Sequence, residues 1–384
     1  MSAPRVSSRV LQVKPSGIRR FFDLMENMKD CISLGIGEPD FQTPWHIRDA
    51  AIYTLEKGLT KYTPNAGYKA LRQAISRYAE RSFGLSYNYD NEILVTVGGS
   101  EAIDIAMRAL TNPGDEVIIP EPSFVCYVPI TIMAGAAPVI IETKEENRFR
   151  LTAAELRAAI TPKTRVLILP YPCNPTGGIM EAEDIEAITA VLREHPDIAV
   201  ISDEIYAELT YGLKHTSIAS YLRDRTVFIG GLSKSHAMTG WRMGYACGHS
   251  DVISQMMKIH QFAIMCAPTT SQYAAIEALD KGDGDVERMR DDYDYRRRFF
   301  VESLRSLGLT CFEPQGAFYA FPNVAASGLS SGDFCEKLLV EQKVAMIPGN
   351  AFGESGEGFA RCCYATSAAE LKTALERIDK FLNK

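Results

Sequence analysis

Between residues 93 and 247 short apolar runs alternate with stretches of helical periodicity, and few folds accommodate that pattern. The runs lie at 93–97, 116–119, 139–141, 166–169, 198–201, 227–229 and 243–247. Helical patterns at 101–110, 123–133, 152–160 and 181–195 fall between most of them. Short strands separated by helices argue for a largely parallel seven-stranded α/β sheet. Ligands in such sheets bind beyond the carboxyl ends of the strands. The candidate chemical residues fall there: residues 98–101 after the first run, Asn174 after the fourth, Asp203 after the fifth and Lys234 after the sixth.

The flanking regions have a different texture. Helical patterns occupy 46–57 and 69–83, the second with Leu71, Ile75 and Tyr78 on one face. Between them KYTPNAG, at 61–67, is rich in turn formers. After Gly248 the chain reads as helical over 252–279 and 286–307. Short strands at 317–321, 344–347 and 359–364, with helices at 331–341 and 368–382, then suggest a small α+β domain. The expected division is an N-terminal segment 1–45 packing with the small domain, a large domain 46–285, and a small domain 286–384. A short helix is expected near 18–28. Arg19 and Arg20 lie in it, and surface charge is favoured slightly over a role near a substrate.

A chain of 384 residues can bury an extensive core in two domains. A net charge of −7 and the lack of a basic block argue against nucleic-acid binding. The Arg296–Arg298 triplet reads as a solvated helix face. Nine cysteines without C-x-x-C suit free thiols in a reducing compartment. Six histidines without H-E-x-x-H suggest no metal site. The N-terminus lacks an apolar signal region, and no run reaches membrane-spanning length, so the cytoplasm is expected.

Lys234 follows the apolar run 226–230, among small and polar residues, and Arg242 follows eight residues later. A lysine so placed can form a Schiff base with a carbonyl, and an arginine can hold a phosphate. Those are the needs of pyridoxal 5′-phosphate. Gly98-Gly99-Ser100-Glu101 closes a strand and opens a helix, where free N–H groups favour a phosphate. Other candidates have bland alternatives as sequence. Gly37 sits in what could be a plain interdomain turn, Tyr62 could be an ordinary half-buried tyrosine, and Phe124, at the start of a helical segment, could be core. Asn174 in N-P is also a turn starter, Asp203 a possible helix cap, and Arg361 a possible structural ion pair.

S-K-S-H-A-M-T-G-W-R-M-G around Lys234 resembles the lysine segment of the fold-type I, class I aminotransferases. YPCNPTG at 171–177, S-D-E-I-Y at 202–206, G-A-F-Y at 316–319 and GFARCCYATS around Arg361 are similar to further segments of that family. The resemblance spans about residues 17–382. It implies that Lys234 carries the cofactor and that Phe124 stacks on its ring. It implies that Asp203 pairs with the pyridine nitrogen, while Asn174 and Tyr206 bond the phenolic oxygen. Gly99, Ser100, Glu101, Ser233 and Arg242 would surround the phosphate. Many relatives have a further serine where Gly231 stands, and Ser233 is the substitute available. Tyr62 would reach the phosphate of a neighbouring subunit in a homodimer. The Gly37 backbone and Arg361 would meet the substrate's carboxylate, and Asn174 would also touch the substrate.

The activity so implied is ping-pong transfer of an amino group from an L-amino acid to a 2-oxo acid, 2-oxoglutarate being the expected acceptor. FVCY, CNPTG, SIAS and GEGF resemble microbial aromatic amino-acid aminotransferases. KYTPNAGYKALRQAI and LSKSHAMTGWR equally resemble relatives acting on N-acetyl-diaminopimelate or aspartate. Some aspartate-using relatives carry a lysine where Ser100 stands, and its absence here weakens a dedicated aspartate reading. A carbon–sulfur β-lyase on the same fold is an alternative of another type. A sensory domain of a transcription regulator ranks last, because about thirty residues precede ISLGIGEPDF, too few for a DNA-binding domain.

Overall fold

The computed structural model describes residues 5–15, 17, 18, 28 and 30–383. The stretch 19–27, with Arg19 and Arg20, lies outside the described residues. All seven expected runs form one sheet: β1 (Ile93–Thr96), β2 (Glu116–Glu121), β3 (Ala137–Glu142), β4 (Thr164–Leu169), β5 (Ala199–Asp203), β6 (Thr226–Gly231) and β7 (Gly244–Cys247). The order is β1-β7-β6-β5-β4-β2-β3, and β7 alone runs antiparallel to its neighbours. Alternate residues feed opposite faces, as the strand period of two requires. Leu94, Ile201 and Ile229 face α1 (Gly99–Leu110) and α2 (Ser250–Ala263), whereas Val95 and Phe228 face Leu71, Ile75 and Ala274.

A separate core gathers Phe300, Leu304, Phe334, Leu338, Leu371 and Ile378, and Leu34 joins it. The N-terminal segment enters there by parallel pairing of Ile32–Ser33 with Val344–Ala345. Ile347–Pro348, Ala360–Cys363 and Tyr319–Ala320 form a three-stranded antiparallel sheet. The helix Asp283–Ser306 joins the two parts, reaching His46 near its start through Asp285 and the small core near its end.

Four expectations change. The helix expected over 252–279 is two helices, α2 and Thr269–Lys281, because Met265 takes φ +74° and Pro268 cannot continue a helical ladder. The strand expected over 344–347 splits between two sheets. The helix after Phe124 begins only at Tyr127, so Phe124 lies in the turn before it. Arg296 and Arg297 are buried, not solvated: Arg296 pairs with Asp40 at 2.7 Å and Asp292 at 2.6 Å, Arg297 with Asp294 and Glu313 at 2.7 Å each. Among the described residues, no helix is long and apolar enough to cross a membrane, and no cluster of side chains suits a metal ion.

Candidate active site

A cavity of about 480 Å³ opens beyond the carboxyl ends of β5 and β6. Gly37, Gly99, Ser100, Phe124, Asn174, Asp203, Tyr206, Ser233, Lys234, Arg242 and Arg361 all line it. Tyr62 does not, being 82% exposed elsewhere. Glu101 has its side chain turned away, toward Val97 and His260. A larger cleft of about 710 Å³, lined by Arg81, Lys214, Asp283 and Arg290 among others, contains none of these residues.

Asp203 ends β5 with a buried carboxylate. Its Oδ2 accepts the Tyr127 hydroxyl at 2.7 Å and its Oδ1 the Ile205 N–H at 3.3 Å. Burial pushes its pKa up, and those two bonds oppose the rise. Lys234 lies three residues past β6. Its Nζ donates to the Gly37 carbonyl at 2.6 Å and sits 5.8 Å from the Phe318 ring centre and 5.9 Å from that of Tyr206. Burial pushes the amine down to about 8, with Arg361 and Arg242 adding to the fall and Cys363 and Glu38 opposing it. A lysine held near neutrality is a usable nucleophile and proton carrier.

At the end of β1 the chain turns through Gly98, φ +80°, into α1. A Cβ at Gly98 would stand 2.4 Å from the guanidinium of Arg242, so only glycine admits this approach. Arg242, itself at φ +53°, donates to the Thr239 carbonyl at 2.9 Å. Free N–H groups, glycine and a guanidinium together suit a phosphate. At Gly231 a Cβ would meet Ile205 Cδ1 at 2.7 Å and the Met243 carbonyl at 3.1 Å. A side chain there would displace the end of Ile205 and crowd the Met243 carbonyl, whereas buried Ser233 lines the cavity.

The facing wall comes from the small part of the molecule. Arg361, buried in Ala360–Cys363, donates to Asn174 Oδ1 at 2.9 Å and to the Gly35 carbonyl at 2.5 Å. Its guanidinium lies between the rings of Tyr319, 4.6 Å, and Phe352, 4.7 Å. Tyr206 and Tyr319 share a hydroxyl–hydroxyl bond of 2.7 Å. Sequence reasoning missed Tyr127, Tyr319 and Gly35. The one signal for Tyr127 was a polar-tipped ring within an otherwise apolar run, VCYVPI.

The donor set fits pyridoxal 5′-phosphate. A buried carboxylate is available for a protonated ring nitrogen, a buried amine for the aldehyde, and a helix N-terminus with an arginine for the phosphate.

The family model for aminotransferase class I and II matches residues 29–378. A Bacillus subtilis protein, whose name gives an aminotransferase without a substrate, is 52% identical over 99% of this chain and 98% of its own length. Aspartate aminotransferase of Pyrococcus abyssi is 44% identical, covering 99% of this chain and 98% of that relative. The crystal structure of an aromatic aminotransferase from Pyrococcus horikoshii superimposes with a TM-score of 0.90 at 43% identity, over 94% of this chain and 98% of that one. With lysine, aspartate and arginine converging on one cavity, the chain belongs to the class I and II aminotransferases and is a transaminase dependent on pyridoxal 5′-phosphate.

Proposed function

We propose that the amino donor is an aromatic L-amino acid and that the acceptor is 2-oxoglutarate. The observation that carries the donor assignment is the cavity wall. Ile18, Ile36 and Ile103 line it, and its cations among the described residues are Lys234, Arg242 and Arg361. In this reading all three are already engaged, by the cofactor, its phosphate and the substrate's α-carboxylate respectively. That leaves none of them as a fixed partner for a second carboxylate, so a dicarboxylic donor has no advantage over an aromatic one, while the isoleucines accept a ring. The distal carboxylate of the acceptor 2-oxoglutarate then has to stay hydrated rather than ion-paired. An apolar pocket discriminates modestly, so several apolar donors should be used.

In the same reading Phe124 offers an apolar face to the cofactor ring, and Asp203 keeps the ring nitrogen protonated. Asn174 and Tyr206 bond the phenolic oxygen. Gly99, Ser100, Ser233, Arg242 and the backbone at Glu101 surround the phosphate. When bound, the cofactor withdraws the electron pair left at the substrate's Cα. Lys234 Nζ removes the Cα proton and returns it elsewhere, as general base and then acid. Gly37 and Arg361 orient the α-carboxylate, Arg361 through two parallel N–H bonds. The protein would act in the cytoplasm as a homodimer, with exposed Tyr62 reaching the other subunit's phosphate. Residues 46–285 would form the cofactor-binding domain, and 286–384 with 1–45 the small one.

The test is to add amino acids singly to the purified protein, without any oxo acid, while recording the cofactor's visible absorbance. Phenylalanine or tyrosine should discharge the lysine-bound absorbance, and 2-oxoglutarate should restore it. Discharge only by aspartate, glutamate or an acylated diamino acid would overturn the aromatic assignment. Pyruvate release from a sulfur amino acid, with the absorbance intact, would point to a β-lyase.

A further inference from the structure

The first turn of α1 is tied to a histidine that the reading above leaves unused. His260, in the last turn of α2, is fully buried, and its Nδ1 lies 2.6 Å from Glu101 Oε1. The other oxygen, Oε2, accepts the backbone N–H of Val97 at 2.5 Å. Glu101 is the third residue of α1. An acidic side chain there turns back readily to a donor before the helix. Val97 is thereby held at both backbone groups, since its carbonyl accepts Arg242 at 3.5 Å. The next residue is Gly98, whose carbonyl accepts the Thr96 hydroxyl at 3.0 Å and whose missing side chain leaves room for the Arg242 guanidinium.

The geometry is a relay. The imidazole fixes one carboxylate oxygen, the other oxygen fixes the strand end, and the strand end sets where Gly98 packs against the Arg242 guanidinium at the start of α1. His260 Nε2 has no partner among the described residues, so Nδ1 carries the ring's polar contact. Without the imidazole N–H, Glu101 Oε1 loses its partner in a largely buried place. The side chain is then free to leave Val97.

We propose that His260 is a positioning residue for the cofactor's phosphate, acting through Glu101 on the Val97–Gly98 turn beside Arg242. This rests on the reading that the phosphate lies at the N-terminus of α1.

The experiment titrates the cofactor-free full chain with pyridoxal 5′-phosphate and with pyridoxal, which lacks the phosphate. The readout is the ratio of the two affinities in the wild type and in Arg242→Ala, His260→Leu, His260→Asn and Glu101→Met. His260→Leu should lower the ratio by roughly tenfold or more, the worth of one bond to a charged group, with pyridoxal affinity little changed. His260→Asn, which keeps a donor near the Nδ1 position, should restore most of it. An unchanged ratio in His260→Leu, with Arg242→Ala lowering it, would overturn this proposal and leave the phosphate site standing. An unchanged ratio in Arg242→Ala would overturn the phosphate site itself. Equal losses for both ligands without rescue by asparagine would make His260 merely structural, and the proposal would fall. Should His260→Leu not fold, Glu101→Met, which keeps the volume and removes both acceptor oxygens, carries the test: its ratio should drop several-fold, and no drop refutes the relay.

Discussion

On the sheet side of the cavity, Asp203 is bonded by Tyr127, which belongs to the sheet-and-helix core, and by the Ile205 N–H only two residues further along the chain. On the facing side the bonds join separate parts of the chain. Arg361 reaches Asn174 and Gly35, Tyr206 reaches Tyr319, and Lys234 reaches Gly37, 197 residues away. The first kind of bond need not break for a ligand to enter. The second kind occupies groups that the proposed reaction must use, because a substrate carboxylate would take Arg361 from Asn174 Oδ1 and Gly35. In the proposed reaction one wall is therefore a fixed holder, and the other would exchange its partners at each turnover.

The sharpest way to break that comparison is to damage each wall alone. Asp203→Asn should reduce turnover by roughly a hundredfold to a thousandfold, the scale of losing one partner of a buried charge pair. It should also weaken cofactor retention. Arg361→Leu should lower kcat/KM for amino acids by about a hundredfold, the worth of charge-assisted bonds to a carboxylate. Cofactor affinity should stay near that of the wild type. Steady-state kinetics and cofactor titration on both variants read this directly. Equal loss of cofactor affinity in the two would show that the walls do not divide the work.

The sheet, and the residues at its strand ends, were legible because their signal is local. Seven apolar runs and the groups just after them need no knowledge of distant contacts, and Lys234, Asp203 and Asn174 stand within a few residues of a strand's end. Tyr127, His260 and Tyr319 were not legible in the same way. Their partners lie 76, 159 and 113 residues away in sequence, and no spacing rule connects them. The three consecutive arginines of the long helix show the same limit. Arg296 differs from Arg298 chiefly because Asp40, 256 residues distant, comes to meet it. Gly231 is the converse case. Its departure from the serine that the resemblance leads one to expect was visible in the sequence, but its neighbours, Ile205 and the Met243 carbonyl, appear only in the packing.

A finer test of the fixed wall is Tyr127→Phe, which removes one hydroxyl and little volume. The bond from Tyr127 favours the charged form of Asp203, so its loss lets burial push the carboxyl pKa higher still. Cofactor affinity should fall about tenfold, the scale of one hydrogen bond to a charged group. Loss of cofactor on acidification should begin at a higher pH than in the wild type, as followed by retained absorbance after dialysis across a pH series. An unshifted acid limb would mean that Tyr127 does not tune Asp203.

The smallest effect concerns the exchanging wall before any ligand arrives. Lys234 titrates near 8 in the folded chain and near 10.4 when unfolded. Below about 8 the amine is charged in both states, and the folded chain bears the full cost of burying it. Between the two values the unfolded chain holds a proton that the folded chain lacks, so stability rises with pH and the cost fades. Lys234→Met removes the charge and keeps most of the volume. Cofactor-free Lys234→Met should therefore be more stable than cofactor-free wild type by about 1–3 kcal/mol at neutral pH. The gap should close as pH climbs from about 8 toward the ordinary lysine range. Denaturant unfolding of both proteins at a series of pH values measures it. A gap that is absent, or constant with pH, would mean that burial does not strain Lys234, and that its readiness to exchange partners has another source.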